Sequence, residues 1–371
     1  MKALYDELRK YIFFFQLFAL CPVGSNEFQT YILGLYSLFH FVVLVALTIV
    51  AMFYSKVIND NNSISGMVAG LVFLAEIATH LIIILQAFVS RMDLKALLSE
   101  LSDIDQIFQV QLRSPMDYKS LKRKYLFKFT VILLISKGLL LSLLIFLAFS
   151  PSKSASLFWF HLSYSIAVVN MRCIQNIFFV DLVRERLDFV NERLSEIAQR
   201  TSKKSKLILY VDTYDHRKQS KKPSPAHEEF NEMLALKQIY GMIWNASILL
   251  NNCFGWSVLA IVTRSFIGFT SHGYWLFLGF EDLIDSEIIV HSAIIFSLIA
   301  LLLSVMCSSC YNCTGCAEDT GGLLNKIEKR DNNESLNFLV REFSLQILHE
   351  PIVLSANGFF TVNLDLLGSV C

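Results

Sequence analysis

Residues 66–89 read GMVAGLVFLAEIATHLIIILQAFV, and Glu76 and His80 are the only side chains in this run that can ionise near neutral pH. A helix of that length rises about 36 Å at 1.5 Å per residue, enough to cross a hydrocarbon core of roughly 30 Å. Five further stretches of the same kind lie at 31–54, 125–149, 157–180, 243–269 and 288–311. They explain why the chain is 54% hydrophobic, only 17% charged and carries 31 Phe, with a mean hydropathy of +0.50. Such a composition excludes a soluble globule with an ordinary polar surface. Backbone polar groups in lipid must be satisfied within each segment, and runs of this length do so as helices. The expected fold class is therefore all-α, a multi-pass transmembrane helical bundle.

The charges orient that bundle. Lys and Arg number three before the first stretch, then seven, twelve and four in every second connection after it; the alternate connections hold one, one and none. Basic residues stay in cytoplasmic loops during insertion. The N-terminus is thus expected in the cytoplasm, which argues against seven-helix G-protein-coupled receptors, whose N-termini lie outside. Topology accounts for the basic residues, and no nucleic-acid partner is expected. Asn61-Asn62-Ser63 falls in a connection assigned outside, so Asn61 is a candidate glycosylation site, whereas Asn312 and Asn333 lie on the other side and should stay bare.

This frame divides the chain into a cytoplasmic N-terminal arm (1–30), a membrane bundle (31–311) with cytoplasmic loops 91–124 and 181–238, and a C-terminal piece (312–371). The arm is a poor signal peptide: Asp6 and Glu7 sit beside its basic residues, and Pro22-Val23-Gly24 offers no cleavage site. It reads as a retained helix lying against the bundle. Leu94, Leu97, Leu98, Leu101, Ile104 and Phe108 recur at helical spacing, as do Val183, Leu187, Val190, Leu194 and Ile197. Both sets predict membrane helices that continue into the cytoplasm and pack together there. The Lys- and Pro-rich segment 201–227 breaks the pattern and reads as a loop near anionic lipid headgroups. No internal repeat of the kind seen in many secondary transporters is visible.

Ionisable side chains at mid-bilayer cost about 2.5–3.5 kcal/mol on insertion scales, so those retained usually face the bundle or a wet cavity. Glu76 and His80 share one face of the second stretch, four residues apart. Glu76 lies at the depth of Lys137 on the third stretch, and three readings stand: a structural Glu76–Lys137 pair, a pair bordering a ligand cavity, or no pair. Arg172 falls in the inner half of the fourth stretch. Arg264 falls toward the outer end of the fifth, and snorkelling to the acidic connection around Glu281 and Asp282 is the preferred reading. Trp159, His161 and Tyr164, with Trp256 and His291, sit in outward halves. They form either the interfacial aromatic belt or an aromatic pocket for a small ligand.

Cys307, Cys310, Cys313 and Cys316 step by three. On a helix that spacing drifts around the axis, so packing residues or cytoplasmic acylation sites are favoured over a metal site. No phosphate-binding glycine loop, zinc-protease motif or nucleophile elbow is present, and the chain nominates no enzyme, metal or cofactor.

The C-terminal piece carries a resemblance. Ser355-Ala356-Asn357-Gly358-Phe359-Phe360-Thr361-Val362-Asn363-Leu364-Asp365-Leu366-Leu367, after Gln346-Ile347-Leu348-His349, resembles the signature preceding the final membrane helix of insect gustatory receptors. Asn251-Asn252-Cys253-Phe254-Gly255-Trp256, Arg186 to Leu194 and Leu17 to Pro22 are similar to the same family, so the resemblance runs the full length. Gly358, Phe359, Phe360 and Asp365 are its motif residues. It implies a plasma-membrane, ligand-gated cation channel of sensory neurons, a homo- or hetero-tetramer with other gustatory receptors, detecting a small-molecule tastant. A pocket among the outer helices, here drawn from Glu76, Lys137, Trp159, His161, Tyr164, Trp256 and His291, would bind the tastant. The family's Thr-Tyr and Gln-Phe seventh-helix motif does not occur before Cys371. Six complete spans with a seventh largely missing are therefore expected, and such a chain could assemble without conducting. A secondary transporter and a non-conducting assembly subunit are the alternatives.

Overall fold

The computed structural model describes residues 2–24, 26–54, 64–113, 129–134, 137–138, 141, 145, 156–211, 225–281, 286–327 and 334–370. These residues are almost entirely helical; the single β-bridge among them joins Ser355 and Thr361. In chain order the helices are α1 (Lys2–Leu17), α2 (Glu27–Tyr54), α3 (Ile64–Val89), α4 (Arg91–Val110), α5 (Ser156–Val211), α6 (Pro225–Phe280), α7 (Ser286–Asn325), α8 (Glu334–His349) and the short α9 (Asp365–Val370). Five of them are long and apolar enough to cross a membrane. The expected third span, 125–149, and the sequon at Asn61 lie mostly or wholly outside the described residues.

Helix length explains the architecture. α5 and α6 each hold 56 residues and α7 holds 40. At 1.5 Å per residue they measure about 84, 84 and 60 Å, against a hydrocarbon core of roughly 30 Å. Each therefore continues well beyond the membrane as one rod, as the periodic Leu and Val pattern predicts. The extensions gather where α3 ends and α6 begins, the basic end of the bundle.

α5 is the central helix: from Ile166 to Val183 every residue is buried, which explains its almost unbroken apolar and small-polar face. It packs chiefly on α7 and α6, while α3 and α4 cover α6 and α2 packs on α3 and α5. At the basic end the predicted stripes close the core. Leu94, Leu97, Leu98, Leu101, Ile104 and Phe108 of α4 are all buried, as are Val183, Leu187, Val190, Leu194 and Ile197 of α5. The arm also packs as expected, burying Leu4, Leu8, Tyr11, Ile12 and Phe15. Beyond α1 the chain turns into the bundle at Ala19 (φ 58°). Side chains satisfy the carbonyls freed there: Tyr36 Oη donates to Leu17 O, Ser37 Oγ to Ala19 O and Gln175 Nε2 to Leu20 O.

The four stepped cysteines lie along α7. Cys307, Cys310 and Cys313 are buried and Cys316 is half-buried, its thiol donating to Asp188 Oδ1 at 3.0 Å. They serve the α5–α7 seam, which Ser309 (donating to Asp181 at 2.6 Å) and Asn191 (donating to the Cys316 carbonyl at 2.7 Å) complete.

Candidate functional site

Three layers of polar side chains cross the helix bundle, stepping from the middle of the membrane spans toward the basic end. In the layer farthest from the basic end, Arg264 Nε of α6 donates to Glu76 Oε2 of α3, with side-chain exposures of 7% and 4%. Glu76 Oε1 is buried and has no hydrogen-bond partner among the described residues. This pairing differs from both sequence expectations for these charges. Lys137 is half-buried, its ammonium 5.1 Å above the ring of Phe18, and it does not meet Glu76. Arg264 does not snorkel to the acidic connection. The reason is rotational: hydropathy gives depth along a helix, whereas the direction a charge faces depends on which helices are neighbours, and α3 packs on α6.

One layer nearer the basic end, His40 of α2 and Tyr164 of α5 hydrogen-bond through Nε2 and the phenol. The ring of His80 lies tilted against both His40 and Tyr164, with centroids 5.9 Å apart in each case, and its Nδ1 lies 3.0 Å from Ser165 Oγ. This cluster joins α2, α3 and α5. His40 gives no signal in the sequence because a lone His in an apolar run has no helical-repeat partner.

The third layer is the densest. Arg172 of α5 is 2% exposed. It donates to Ser257 Oγ (3.1 Å), Gln175 Oε1 (2.7 Å) and the Cys253 carbonyl (2.5 Å). Its guanidinium also lies 4.2 Å over the Phe254 ring. Four weak acceptors thus replace a carboxylate, and cation–π attraction strengthens where water is excluded. Gln86 of α3 completes the layer: its Nε2 donates to Asn252 O at 3.0 Å, and its Oε1 accepts from Ser257 N–H at 2.6 Å and Ser257 Oγ at 2.5 Å.

The C-terminal signature docks on the same turn of α6. Asn251 donates to Val353 O at 2.8 Å and accepts from Ser355 N–H at 3.0 Å, pairing its carboxamide with the strand-like backbone. Gly255 meets the segment directly: a Cβ there would sit 2.8 Å from Asn357 N. The chain then reverses through Asn357 (φ 52°) and Gly358 (φ 79°), closed by Ala356 N–H to Phe360 O and Val362 N–H to Leu354 O. Both positions favour residues that tolerate the left-handed region, and glycine does so without cost. Phe360 packs on the core while Phe359 is 68% exposed. Asp365 opens α9 and accepts from Asn363 Nδ2 at 2.9 Å. In the sequence the Asn251–Trp256 and Gly358–Phe360 motifs stand apart; in the structure they are two halves of one contact.

Among the nominated pocket residues whose side chains are described, only Glu76 and Tyr164 belong to these layers. Trp256 does not sit in an outward half; it is 51% exposed and packs its ring 6.3 Å from that of Phe359. The physical reason is that α6 begins far beyond the membrane at Pro225, so residues 251–257 lie level with Ser90, whose carbonyl accepts from Cys253 Sγ. Trp159 and His161 occupy the first turns of α5 and His291 the second turn of α7, and their side chains lie outside the described residues. No group of three or more His, Cys, Asp or Glu that could hold a metal occurs among the described residues. Chemically, the layers offer buried hydrogen-bonding groups and one ion pair spanning four helices. They are suited to orienting a polar small molecule or to holding helices in a defined packing.

Comparison with known proteins bears on which. The family model of the 7tm chemosensory receptors matches residues 8–371. Gustatory receptor 23a of Drosophila melanogaster is 31% identical over 198 residues, covering 52% of this chain and 52% of that protein, so the match spans about half the relative's length. Among solved structures, the insect olfactory receptor OR5 from Machilis hrabei superposes with a TM-score of 0.65 at 11% identity, covering 99% of this chain and 96% of the receptor. The same receptor in complex with eugenol gives a TM-score of 0.61 at 12% identity over the same shares of both chains.

Proposed function

Because the chain belongs to the 7tm chemosensory receptor family, we propose that it is a gustatory chemoreceptor, a subunit of a plasma-membrane, ligand-gated cation channel that responds to a small-molecule tastant. The observation that carries this reading is the family match along nearly the whole chain. Three features support its details. A fold-level neighbour has been solved with a small organic molecule bound. The membrane bundle buries ionisable and hydrogen-bonding groups, which membrane proteins keep mainly where a ligand or ion must be handled. The basic residues concentrate at one end, which supports a cytosolic location for the N-terminus and the long helical extensions.

Binding opens a channel only through a difference in affinity between closed and open states, so the pocket and the pore must share moving helices. In this reading α3, α5 and α6 take that part, supported by the polar layers they carry and by the C-terminal signature seated on α6. Assembly as a homo- or hetero-tetramer with other gustatory receptors follows from the same reading, and no enzymatic role is assigned.

The test is electrophysiological. The chain is expressed alone and together with a full-length gustatory receptor, and sugars, bitter alkaloids, bicarbonate and phenolic volatiles are applied in turn. The expected result is a ligand-dependent cation current, from the chain itself or altered in the co-assembled receptor. Uptake of a labelled compound without channel current would instead indicate a secondary transporter. Co-purification with the receptor and no effect on its currents would indicate an assembly subunit.

A further inference from the structure

Gln86 and Arg172 grip the backbone of α6 as well as its side chains. In an α-helix the carbonyl of residue i accepts from the N–H of residue i+4. The Cys253 carbonyl and the Ser257 N–H are the two halves of one such rung. Arg172 Nη2 engages the first at 2.5 Å and Gln86 Oε1 engages the second at 2.6 Å. Gln86 Nε2 also takes the Asn252 carbonyl at 3.0 Å, the acceptor half of the neighbouring rung. Side chains inserted into the ladder are a recognised cause of bends in long helices, often at functional sites. Here two side chains from two different helices of the membrane bundle hydrogen-bond to the backbone of one turn of a continuous 56-residue helix.

That turn is also where α6 meets the C-terminal signature. Asn251 holds Val353 and Ser355, the missing side chain of Gly255 admits the Asn357 backbone, and Trp256 rests on Phe359. Residues 251–257 therefore present one side to α3 and α5 and the other to the segment that leads into α9. A turn whose rungs are shared with outside partners can exchange between two arrangements, one with its hydrogen bonds kept within the helix and one with them given to its neighbours. Such an element can be biased from either side.

We propose that the turn 251–257 is a hinge in α6 through which the packing of α3 and α5 is relayed to the C-terminal segment 351–364, with Gln86 and Arg172 as its positioning residues. The relay rests on the receptor-channel reading for its purpose, but the hinge itself does not.

The full chain, reconstituted in lipid nanodiscs, provides the test by hydrogen–deuterium exchange. Amides of 253–257 are expected to exchange at least about tenfold faster than those of 244–250 and 260–267, because a shared rung opens more readily. Gln86→Met keeps the side-chain length and removes all three hydrogen bonds of the carboxamide, two of them to the α6 backbone. It should bring the turn to within about threefold of its flanks as the ladder closes. Ser257→Ala leaves the backbone clamp in place and should leave the fast exchange intact. Uniform protection in the native chain would overturn the hinge without any variant being needed. A turn that ignores Gln86→Met, or one that Ser257→Ala slows equally, would do the same.

The relay is read separately. Oxidative cross-linking of Trp256→Cys with Phe359→Cys should change in rate by at least about fivefold when Gln86→Met is added, and an unchanged rate overturns the relay. Should the exchange and cross-linking results hold while no tested compound evokes current, the hinge stands and the channel assignment fails. Normal ligand-gated current with a flat exchange pattern means the reverse: the channel assignment stands and the hinge fails.

Discussion

The membrane-level half of this molecule and its basic end are built from the same continuous helices but held together differently. Within the membrane, polar groups are few, buried and bonded mainly to neutral partners or helix backbone: Arg172 bonds to a hydroxyl, a carboxamide and a backbone carbonyl, and Glu76 and Arg264 form a pair almost without exposure. At the basic end, α4, α5, α6 and α8 close an apolar seam and dress it with ion pairs that water reaches, such as Arg200 with Glu232 and Lys237 with Glu342. Arg186 with Asp105 sits between the two styles, the guanidinium at 0% and the carboxylate at 10% exposure. The difference follows from the solvent. Apolar contact drives association where water is present, whereas lipid gives no such drive and leaves packing and hydrogen bonds to set helix positions.

This contrast makes graded predictions. Arg264→Ala should have the largest effect, because it leaves the buried Glu76 carboxyl without its partner in the bundle, and loss of one partner from a buried pair costs about 3–5 kcal/mol. Thermal unfolding in detergent should report it, and adding Glu76→Gln should restore much of the loss; if the double variant is no better than the single, the pair is not what holds α3 to α6. Asp105→Ala should rank second, since Arg186 keeps its bond to Leu182 O and nearby water softens the cost to roughly 2–3 kcal/mol. Arg200→Ala should rank third at about 0–1 kcal/mol, and its effect should fade in high salt. An equal loss for Arg200→Ala and Arg264→Ala would erase the distinction between the two halves.

The smallest effect concerns pH. Glu100 on α4 is pushed above the ordinary carboxylate range, first by burial and then by neighbouring Asp103, with a hydrogen bond from Asn245 opposing. A raised carboxylate favours the protonated form in the fold. The penalty is therefore absent at low pH and develops as pH climbs through the carboxylate range. Glu100→Gln should raise the melting temperature slightly at pH 7.5 and leave it unchanged near pH 4. A gain that persists at pH 4 would show that charge is not its source.

Periodicity makes much of this legible in advance. The Leu94-to-Phe108 and Val183-to-Ile197 stripes are buried residue by residue because a 3.6-residue repeat specifies a face whatever that face meets. Length and hydropathy likewise specify membrane crossing. Mutual rotation and axial offset between helices are what the sequence hides. Glu76 and Arg264 are 188 residues apart, and nothing local in either helix tells which neighbour each faces. Hydropathy places Trp256 too far along the membrane because the apolar run from 243 blends into the helical extension without a break. Gln86 and Ser257 give no signal at all, since an uncharged amide and a hydroxyl in apolar helices are usually unremarkable. Asn251 and Gly255 are visible as a motif, but the partner that requires them lies a hundred residues later.

The receptor-channel reading depends on which compartment holds the basic end. An epitope tag placed before Met1 and stained on intact cells, then again after permeabilisation, measures it most directly. With the basic end in the cytosol, no label appears until the membrane is opened. Staining of intact cells would put the arm and the charged helical extensions outside, and would contradict that topology.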